Sequence, residues 1–393
     1  MRNKKRRETT SPVTPNVATV AEKIPLVSVV MPMFNAAKFV TQTLESLLYQ
    51  TMTDFEVVIV DDCSTDNSIE VVESFRERFN GRLKLVKLPK NTGTPGLPRN
   101  VAIQLARGKY IAFLDCDDLF TKTALEELST LAEKFQADVV RTNSWFVLWN
   151  DKKKFVDDPA FTDMNELINP VNRMTKSELD PRLLTEPTLI PEDIAERVKD
   201  FINWGTFWTS WLSFCRRDFL LANQILFPDM NKSEDAPVVL ECAVRAKNFL
   251  RVPNAVYINR PRAGSASRIN ERDFNVGSYI HKHVSPIGRG FNELERVMQK
   301  YPFFAEHPDY RYAVLDFFCR KSFSWLLPLQ NMYAQNPVYK LNELVKKEFH
   351  PDDAALSAYL FNTVNVYRIQ IMSLQQQIAA LKKSKQEVPD VQK

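Results

Sequence analysis

Short apolar runs alternate with longer amphipathic segments between about residue 25 and residue 150. The runs LVSVVMPMF, FEVVIV and YIAFL contain few polar residues, whereas the segments between them repeat their apolar residues every three or four positions. A continuous apolar run predicts a strand buried on both faces, and the three- to four-residue spacing predicts an amphipathic helix. Strands that alternate with helices form mostly parallel sheets with helices on both faces. We therefore expect an α/β fold with a Rossmann-like, mostly parallel sheet.

The pattern divides the rest of the chain into further parts. Residues 151–200 are charged, contain several prolines and predict only short helices, as in a variable insertion or a lid. Residues 201–262 return to aromatic strands and one amphipathic helix. We predict one domain over residues 25–265, with two halves that meet after residue 150. Residues 266–355 are rich in aromatic side chains and predict a helical region.

The last part of the chain, residues 356–393, repeats apolar residues at alternating three- and four-residue spacing. These residues are Val364, Tyr367, Ile371, Leu374, Ile378 and Leu381. A heptad pattern among Gln, Lys and Ser residues predicts a coiled-coil tail and, with it, a homo-oligomer such as a dimer or a trimer. A short amphipathic helix that docks on its own domain is the alternative.

The first 24 residues form a polar tail that contains the basic run RNKKRR. This composition predicts a disordered tail, with attraction to anionic lipid at the inner face of the cell membrane as the alternative. No apolar segment follows that would indicate a signal peptide, and no stretch approaches the roughly 18 apolar residues of a transmembrane helix. We therefore expect a cytoplasmic protein, peripheral to the membrane if the tail binds lipid.

Net charge and cysteine content exclude some classes of protein. The net charge is +4, and the basic tail accounts for all of it, so the remainder of the chain is close to neutral. A near-neutral body argues against nucleic-acid binding. The five cysteines contain no CxxC pair, which favours a reducing compartment over a disulfide framework or a zinc site.

Several phosphate- and metal-binding motifs are missing from the sequence. The chain has no G-x-x-x-x-G-K-[ST] loop and no G-x-G-x-x-G motif, which argues against a P-loop enzyme and against a dinucleotide-binding domain. His281 and His283 could bind a metal ion, but a solvated pair is the more common arrangement.

Acidic residues follow the predicted strands instead. Asp61 and Asp62 come after FEVVIV, and Asp115 and Asp117 come after YIAFL. Ligands of open α/β sheets bind at the carboxyl ends of the strands, and Mg²⁺ or Mn²⁺ prefers carboxylate oxygen. We therefore predict a divalent cation at the Asp-x-Asp pair, where it would hold a diphosphate. A cysteine thiolate is a soft ligand, whereas Mg²⁺ and Mn²⁺ are hard ions, so we expect Cys116 to contribute only its size to this site.

The residue after this pair, Asp118, has a different expected role. We interpret it as a cap of the next helix or a neighbour of a second substrate, rather than a third metal ligand.

Four motifs in fixed order resemble those of the family 2 glycosyltransferases, which have the GT-A fold. They are VSVVMPMFN, VVIVDDCSTDNS, NTGTPGLPRN and GKYIAFLDCDD. The resemblance covers about residues 25–265 and is strongest in the first 120 of these. It implies inverting transfer of a sugar from a nucleotide-sugar, most often a UDP-sugar, to a glycan or lipid-linked acceptor of a bacterial surface polysaccharide. Residues 25–150 would bind the donor and residues 151–265 the acceptor.

The resemblance also implies a set of substrate-binding residues. They are Pro32, Phe34, Asn35, Asp61, Asp62, Asn91, Arg99, Asp115, Cys116, Asp117, Glu234 and Arg262. In this set, the two acids after the second strand would contact the base and ribose, and Arg99 would line the donor pocket. Asp117 would be the direct metal ligand, with Asp115 toward the ribose or sugar and also assigned to the metal site.

The segment ILFPDMNKSEDAPVVLECAVRAKNF resembles the part of the family that carries the catalytic base. The resemblance assigns this role to Asp235, with Glu234 as its neighbour. A plain helix N-cap at Ser233 is the alternative.

Two further groups in the second half have less certain roles. Arg262, together with Arg260 and Arg268, belongs to a basic loop that could approach the diphosphate or could simply be exposed. Trp204 and Trp211 could stack on an acceptor sugar or pack in the core.

Two positions depart from the family pattern. Cys63 stands where the family usually has glycine, and Pro98 stands where it more commonly has alanine, which leaves the loop shapes open.

Two other functions stay open. A nucleotidyl- or phosphotransferase on a similar sheet would release monophosphate or pyrophosphate instead of nucleoside diphosphate. An oligomeric scaffold with a degenerate site is the third hypothesis, and the retention of both Asp117 and Asp235 argues against it.

Overall fold

The strands lie where the apolar runs predicted them. The computed structural model describes residues 23–148, 168, 174–177, 184–203, 208–230, 232–260, 285–322 and 373–378. The strands within these ranges are β1 (Val27–Met33), β2 (Phe55–Asp61), β3 (Leu83–Lys87), β4 (Tyr110–Phe113), β5 (Leu119–Phe120), β6 (Val139–Leu148), β7 (Met174–Ser177), β8 (Thr188–Ile190), β9 (Ser213–Arg216) and β10 (Phe249–Asn259).

Within the described ranges, helices separate most of the strands and continue after the last one. They are α1 (Val40–Leu48), α2 (Ser68–Ser74), α3 (Arg76–Phe79), α4 (Gly96–Leu105), α5 (Ala124–Phe135), α6 (Ile194–Asn203), α7 (Arg217–Ala222), α8 (Asp235–Arg245), α9 (Ser285–Met298), α10 (Pro302–Glu306) and α11 (Pro308–Ser322). A short 3₁₀ helix at Ser210–Leu212 precedes β9. None of the helices in the described ranges combines the length and the apolar character needed to cross a membrane.

All ten strands belong to one sheet, whose main path has the order β3-β2-β1-β4-β9-β6-β10-β5. The longest pairings are parallel: β1 with β2, β2 with β3, and β6 with β10. β1 is also parallel to β4, whereas β9 is antiparallel to both β4 and β6. The predicted α/β fold with a mostly parallel sheet is confirmed.

The core lies on both faces of this sheet because successive residues of a strand point to opposite sides. Val29 and Met31 of β1 pack on one face in the same cluster as Leu44 of α1. Val30 packs on the other face in the same cluster as Ile103 of α4. Both faces are therefore covered, which explains why β1 and β2 are apolar at nearly every position.

The strand ends bring the loops after β1, β2 and β4 to one edge of the sheet. Met33 at the end of β1 is opposite Asp61 at the end of β2, and Val30 is opposite Phe113 at the end of β4. Because these pairings are parallel, the segments that leave the strands open on the same side. The acidic residues after β2 and β4 therefore lie at one edge, as predicted.

The helices after β10 pack against the face of α8 that points away from the sheet. Leu294 of α9 and Phe318 of α11 are buried in one cluster with Phe201 of α6 and Leu240 of α8. Lys300 Nζ also lies 2.6 Å from the Oε1 atom of Glu241 in α8. The helical character predicted for residues 266–355 is present in α9, α10 and α11, while the domain boundary at residue 265 stays a prediction.

Several predictions concern residues outside the described ranges. These residues are 1–22 of the basic tail, Trp204, Arg262, Arg268, His281, His283 and most of the heptad segment. Within that segment, residues 373–378 are helical and exposed, and Leu374 and Ile378 are 57% and 51% exposed. The coiled coil and the homo-oligomer stay predictions.

Candidate active site

An acidic turn follows β4 at the edge where the strands end. The amide of Leu114 donates to the carbonyl of Val30 at 3.1 Å, and the amide of Asp118 donates to the carbonyl of Asp115 at 3.1 Å. This closes a four-residue turn. One carboxylate oxygen from each of Asp115, Asp117 and Asp118 lies within 4.8 Å of the other two. Clustered carboxylate oxygens are a donor set that suits a hard divalent cation.

A neighbouring helix holds the middle of this turn. The hydroxyl of Thr43 in α1 donates to the carbonyl of Cys116 at 3.0 Å. The Cys116 side chain is buried in the cluster that contains Leu44. The thiol therefore contributes to packing.

The role expected for Asp118 as a helix cap is wrong, because the short strand β5 follows it. The buried carboxylate instead accepts hydrogen bonds from Tyr257, Asn259 and Arg260 at the end of β10. Burial, and next the charges of Asp117 and Asp115, raise the pKa of Asp118 well above its ordinary value. The turn is thus attached to β10 through its last residue.

Arg99 in α4 joins the acidic turn to the start of α8. Its Nη2 atom lies 2.7 Å from Asp115 Oδ1, and its Nη1 atom lies 2.8 Å from Glu234 Oε1 and 3.4 Å from Asp235 Oδ1. Burial alone would lower the pKa of Arg99, but the three carboxylates raise it above its ordinary value. One buried guanidinium therefore partly neutralises carboxylates from two separate motifs.

Glu234 and Asp235 stand at the N-terminus of α8. Glu234 occupies the N-cap position, and no side chain of the described residues caps this helix, so the alternative of a Ser233 cap is not what the structure has. Burial, and next the charge of Asp235, raise the pKa of Glu234 to about 7, although Arg99 opposes this. The Asp235 side chain is 13% exposed, so solvent reaches it more than it reaches Glu234.

Asp115 is affected by the same charges. Loss of solvation raises its pKa, the Arg99 guanidinium lowers it, and the charge of Asp117 raises it again, so the pKa remains above its ordinary value. A carboxylate held in this balance gains from a further positive charge. The turn is therefore suited to bind a cation beside Arg99.

The acids after β2 are held by loops. Asp61 is buried and accepts a hydrogen bond from the amide of Ser64 at 3.1 Å. Asp62 accepts from the amide of Thr92 at 2.7 Å and from its hydroxyl at 3.0 Å. The side-chain amide of Asn91 donates to the carbonyl of Asp62 at 2.7 Å. The loop that contains Asn91 is therefore fixed against the end of β2.

Comparison with known proteins supports what this geometry indicates. Residues 28–184, which include the acids after β2 and the acidic turn, match the model of glycosyl transferase family 2. These residues, about 40% of the chain, resemble that family. The resemblance that the four motifs carry is therefore confirmed for residues 28–184.

Two curated relatives match different shares of this chain. The poly(ribitol-phosphate) beta-N-acetylglucosaminyltransferase TarS of Staphylococcus aureus is 42% identical over 115 residues, which are 29% of this chain and 20% of TarS. EpsJ of Bacillus subtilis, named an uncharacterized glycosyltransferase, is 29% identical over 247 residues, which are 63% of this chain and 64% of EpsJ. The chain thus matches about a fifth of the length of TarS.

A solved structure also resembles this chain. The crystal structure of S. aureus TarS in complex with UDP-GlcNAc is 24% identical, with a TM-score of 0.47, and the match covers 79% of this chain and 87% of that one.

The first predicted nucleotide contacts differ in exposure. Pro32 is buried inside β1, whereas Phe34 is 46% exposed and Asn35 is exposed. Asn35 has a φ of 49°, and its side-chain oxygen accepts a hydrogen bond from the amide of Thr65 at 2.8 Å. Asn35 therefore ties the loop after β1 to the loop after β2.

The two departures from the family pattern have physical explanations. Cys63 has a φ of 61°, a conformation that favours glycine, and its Sγ atom lies 3.0 Å from the carbonyl oxygen of Leu88. Pro98 lies in the first turn of α4, where its missing N–H leaves no helical hydrogen bond unmade.

Two side chains that were expected near the substrates are packed in the described region. Trp211 stacks on Tyr257 with a centroid distance of 4.3 Å and meets Trp145 edge to face at 5.4 Å. The Arg260 guanidinium is buried over the ring of Phe39. Packing is therefore the observed role of Trp211, and an exposed basic loop does not describe Arg260.

Sequence reasoning missed two residues that hold the acidic turn. Thr43 and Tyr257 sit in ordinary helix and strand patterns, and they lie far along the chain from the turn they contact. No local motif marks them. Their role depends on the pairing of distant elements.

Proposed function

We propose that this chain is an inverting glycosyltransferase, which moves a sugar from a nucleotide-diphosphate sugar to a glycan or lipid-linked acceptor of a surface polysaccharide. The observation that carries this proposal is the contact of Arg99 with both the Asp-x-Asp turn and the acidic start of α8. A donor-binding motif and a candidate base thus share one buried cation. A UDP-sugar is the proposed donor.

Asp235 is the proposed general base. In the transfer, the acceptor hydroxyl oxygen forms a bond to the anomeric carbon as the bond from that carbon to the diphosphate breaks. The hydroxyl proton passes to the Asp235 carboxylate, and nucleoside diphosphate leaves. General-base assistance of this kind contributes about 10²- to 10⁴-fold. The partial exposure of Asp235 supports this role, because an acceptor has to reach it.

Asp117 and Asp115 are the proposed ligands of a Mn²⁺ or Mg²⁺ ion. Their carboxylate oxygens are the donors that such ions prefer, and the residues lie at the correct edge of the sheet. When bound, the ion would neutralise the diphosphate of the donor and stabilise it as a leaving group. Asp61, Asp62, Asn91 and the loop after β1 are the proposed neighbours of the nucleoside.

The experiment that tests this function is a donor screen followed by product analysis. Thermal stabilisation of the protein by nucleotide-sugars is measured in Mn²⁺, beginning with UDP-GlcNAc because the name of TarS specifies N-acetylglucosaminyl transfer. The best donor is then incubated with candidate acceptors. Release of free UDP and a glycosylated acceptor is expected. Release of monophosphate or pyrophosphate would favour a nucleotidyl- or phosphotransferase, and no turnover with any donor would favour a scaffold.

We also propose that the chain assembles through its C-terminal heptads and that its basic first 24 residues contact anionic lipid at the inner membrane face. Truncation after Tyr359 is expected to lower the number of subunits in the oligomer, measured by light scattering. An unchanged number of subunits would exclude the coiled coil.

Removal of the basic tail is expected to abolish co-sedimentation with anionic vesicles at low salt.

A further inference from the structure

The carboxylate of Asp118 is held by three polar groups at the end of β10. The Tyr257 hydroxyl donates to Oδ2 at 2.7 Å, and the Arg260 amide donates to Oδ1 at 2.7 Å. The side-chain amide of Asn259 lies 3.2 Å from Oδ2. Both oxygens of Asp118 are therefore engaged by one short segment of the sheet.

Tyr257 connects this segment to a second point of the acidic turn. The amide of Asp115 donates to the Tyr257 hydroxyl at 3.3 Å. One hydroxyl thus contacts both the first and the last residue of the turn. The turn cannot rotate relative to β10 without breaking these contacts and those of Asp118.

The Tyr257 ring is itself rigidly placed. Tyr257 pairs with Phe120 across β5 and β10, and the two rings meet edge to face at 5.8 Å. The ring of Trp211 stacks on the ring of Tyr257, with a centroid distance of 4.3 Å. Tyr257 is fully buried, so packing restricts the position of the hydroxyl that contacts the turn.

The third acid of the cluster also invites another interpretation. An oxygen of Asp118 lies within 4.8 Å of oxygens of Asp115 and Asp117, which would allow it to be a third metal ligand. A ligand role would compete with at least one of the hydrogen bonds from β10. Loss of a hydrogen bond to a buried charged group costs about 1.5–3 kcal/mol, which favours retention of the contacts.

We propose that Asp118 is a positioning residue which, with Tyr257, fixes the acidic turn relative to Asp235. The proposal rests on the proposed transferase function. Asp115 and Asp117 can follow a loosened turn together and still bind an ion and a diphosphate. The anomeric carbon would then lie in the wrong place for an acceptor oriented by Asp235. A misplacement of about 1 Å can cost about 10²-fold in rate, so the effect falls on kcat.

The test compares Asp118→Asn, Tyr257→Phe and their double variant with Asp117→Asn. Calorimetry measures UDP binding with and without Mn²⁺, and steady-state kinetics measure kcat and KM for the donor. Asp118→Asn and Tyr257→Phe are expected to keep UDP affinity in Mn²⁺ within about threefold and to lower kcat by about 10- to 100-fold. The double variant is expected to be no worse than the poorer single variant, because the two residues act as one unit.

Controls separate the possible results. Asp117→Asn is expected to lose the Mn²⁺-dependent part of UDP binding, and Asp54→Asn, at an exposed ion pair, is expected to behave as the wild type. If Asp118→Asn is insoluble, Tyr257→Phe and Asn259→Ala give the same test, because each removes contacts between β10 and the turn and spares the carboxylate.

Three results would overturn the positioning role. They are a loss of Mn²⁺-dependent UDP binding in Asp118→Asn as large as in Asp117→Asn, unchanged kcat in the variants, and a defect confined to KM. A wild-type protein that binds no UDP and turns over no donor would instead overturn the proposed function.

Discussion

Arg99 Nη1 lies 2.8 Å from Glu234 Oε1, so a buried ion pair joins α4 to the start of α8. The two residues are 135 positions apart in the chain. The same guanidinium contacts Asp115 through its other nitrogen. The Arg99 side chain therefore links the acidic turn directly to the start of α8.

Replacement of Arg99 by methionine is expected to destabilise the protein by about 3–5 kcal/mol, because removal of one partner leaves buried carboxylates without a countercharge. Urea denaturation measures this change. Arg76→Met removes an exposed pair with Glu73 and is expected to cost much less than Arg99→Met, because solvent screens the exposed pair. Equal effects of the two substitutions would show that the Arg99 pairs contribute no more than surface pairs.

Glu234 is expected to make stability depend on pH. Its pKa is raised to about 7 from 4.5, so the folded state favours the protonated form. This stabilisation is present below pH 4.5 and is lost as the pH rises through 7. A shift of one pKa unit corresponds to about 1.4 kcal/mol. Between pH 4.5 and 8, the free energy of unfolding of the wild type is therefore expected to fall by up to about 3 kcal/mol relative to that of Glu234→Gln.

Urea denaturation of both proteins across this pH range measures the difference. Glu73→Gln is the control, since Glu73 is largely exposed and its pKa is lowered rather than raised. Parallel curves for the wild type and Glu234→Gln would contradict the prediction.

Asp117→Asn and Asp235→Asn are expected to fail in different ways. Asp117→Asn removes a proposed ligand, so turnover that depends on Mn²⁺ should disappear together with the metal-dependent part of donor binding. Asp235→Asn should keep donor affinity and lower transfer by about 10²- to 10⁴-fold. Binding calorimetry and a UDP-release assay measure the two effects. Normal transfer by Asp235→Asn would exclude it as the base.

The parts of this molecule that local patterns describe were predictable. The apolar runs predicted β1, β2 and β4, because strands buried on both faces carry apolar side chains at nearly every position. Asp61 and Asp115 follow those runs, so their position at one edge could be predicted as well. The same rule gave Asp235 no special status, and its assignment needed the family motifs.

The contacts between distant segments were not predictable in the same way. Asp118 looked like a helix cap because acids are frequent before helices, but a strand pairing with β10 decides its role. Tyr257 reads as an ordinary aromatic residue of a strand, and only the register of β5 against β10 places its hydroxyl beside the turn. Such a register depends on the whole sheet.

Gly290 lies where α9 packs closely against α11, and we expect an added side-chain atom there to destabilise the protein. A Cβ added at Gly290 would lie 2.2 Å from the Phe318 Cζ atom. Gly290→Ala is expected to destabilise the protein by about 1–3 kcal/mol despite the better helix propensity of alanine. Thermal denaturation measures the loss. Phe318→Leu in the same chain should return part of it, and purely additive losses would contradict this packing.

Helix α8 belongs to two packed regions at once, since Cys242 faces the sheet and Leu240 faces α9 and α11. The start of α8, with Asp235, is therefore packed as one unit with α9 and α11. Substitutions at the far side of α8 would shift Asp235 without a change in any residue at the strand ends.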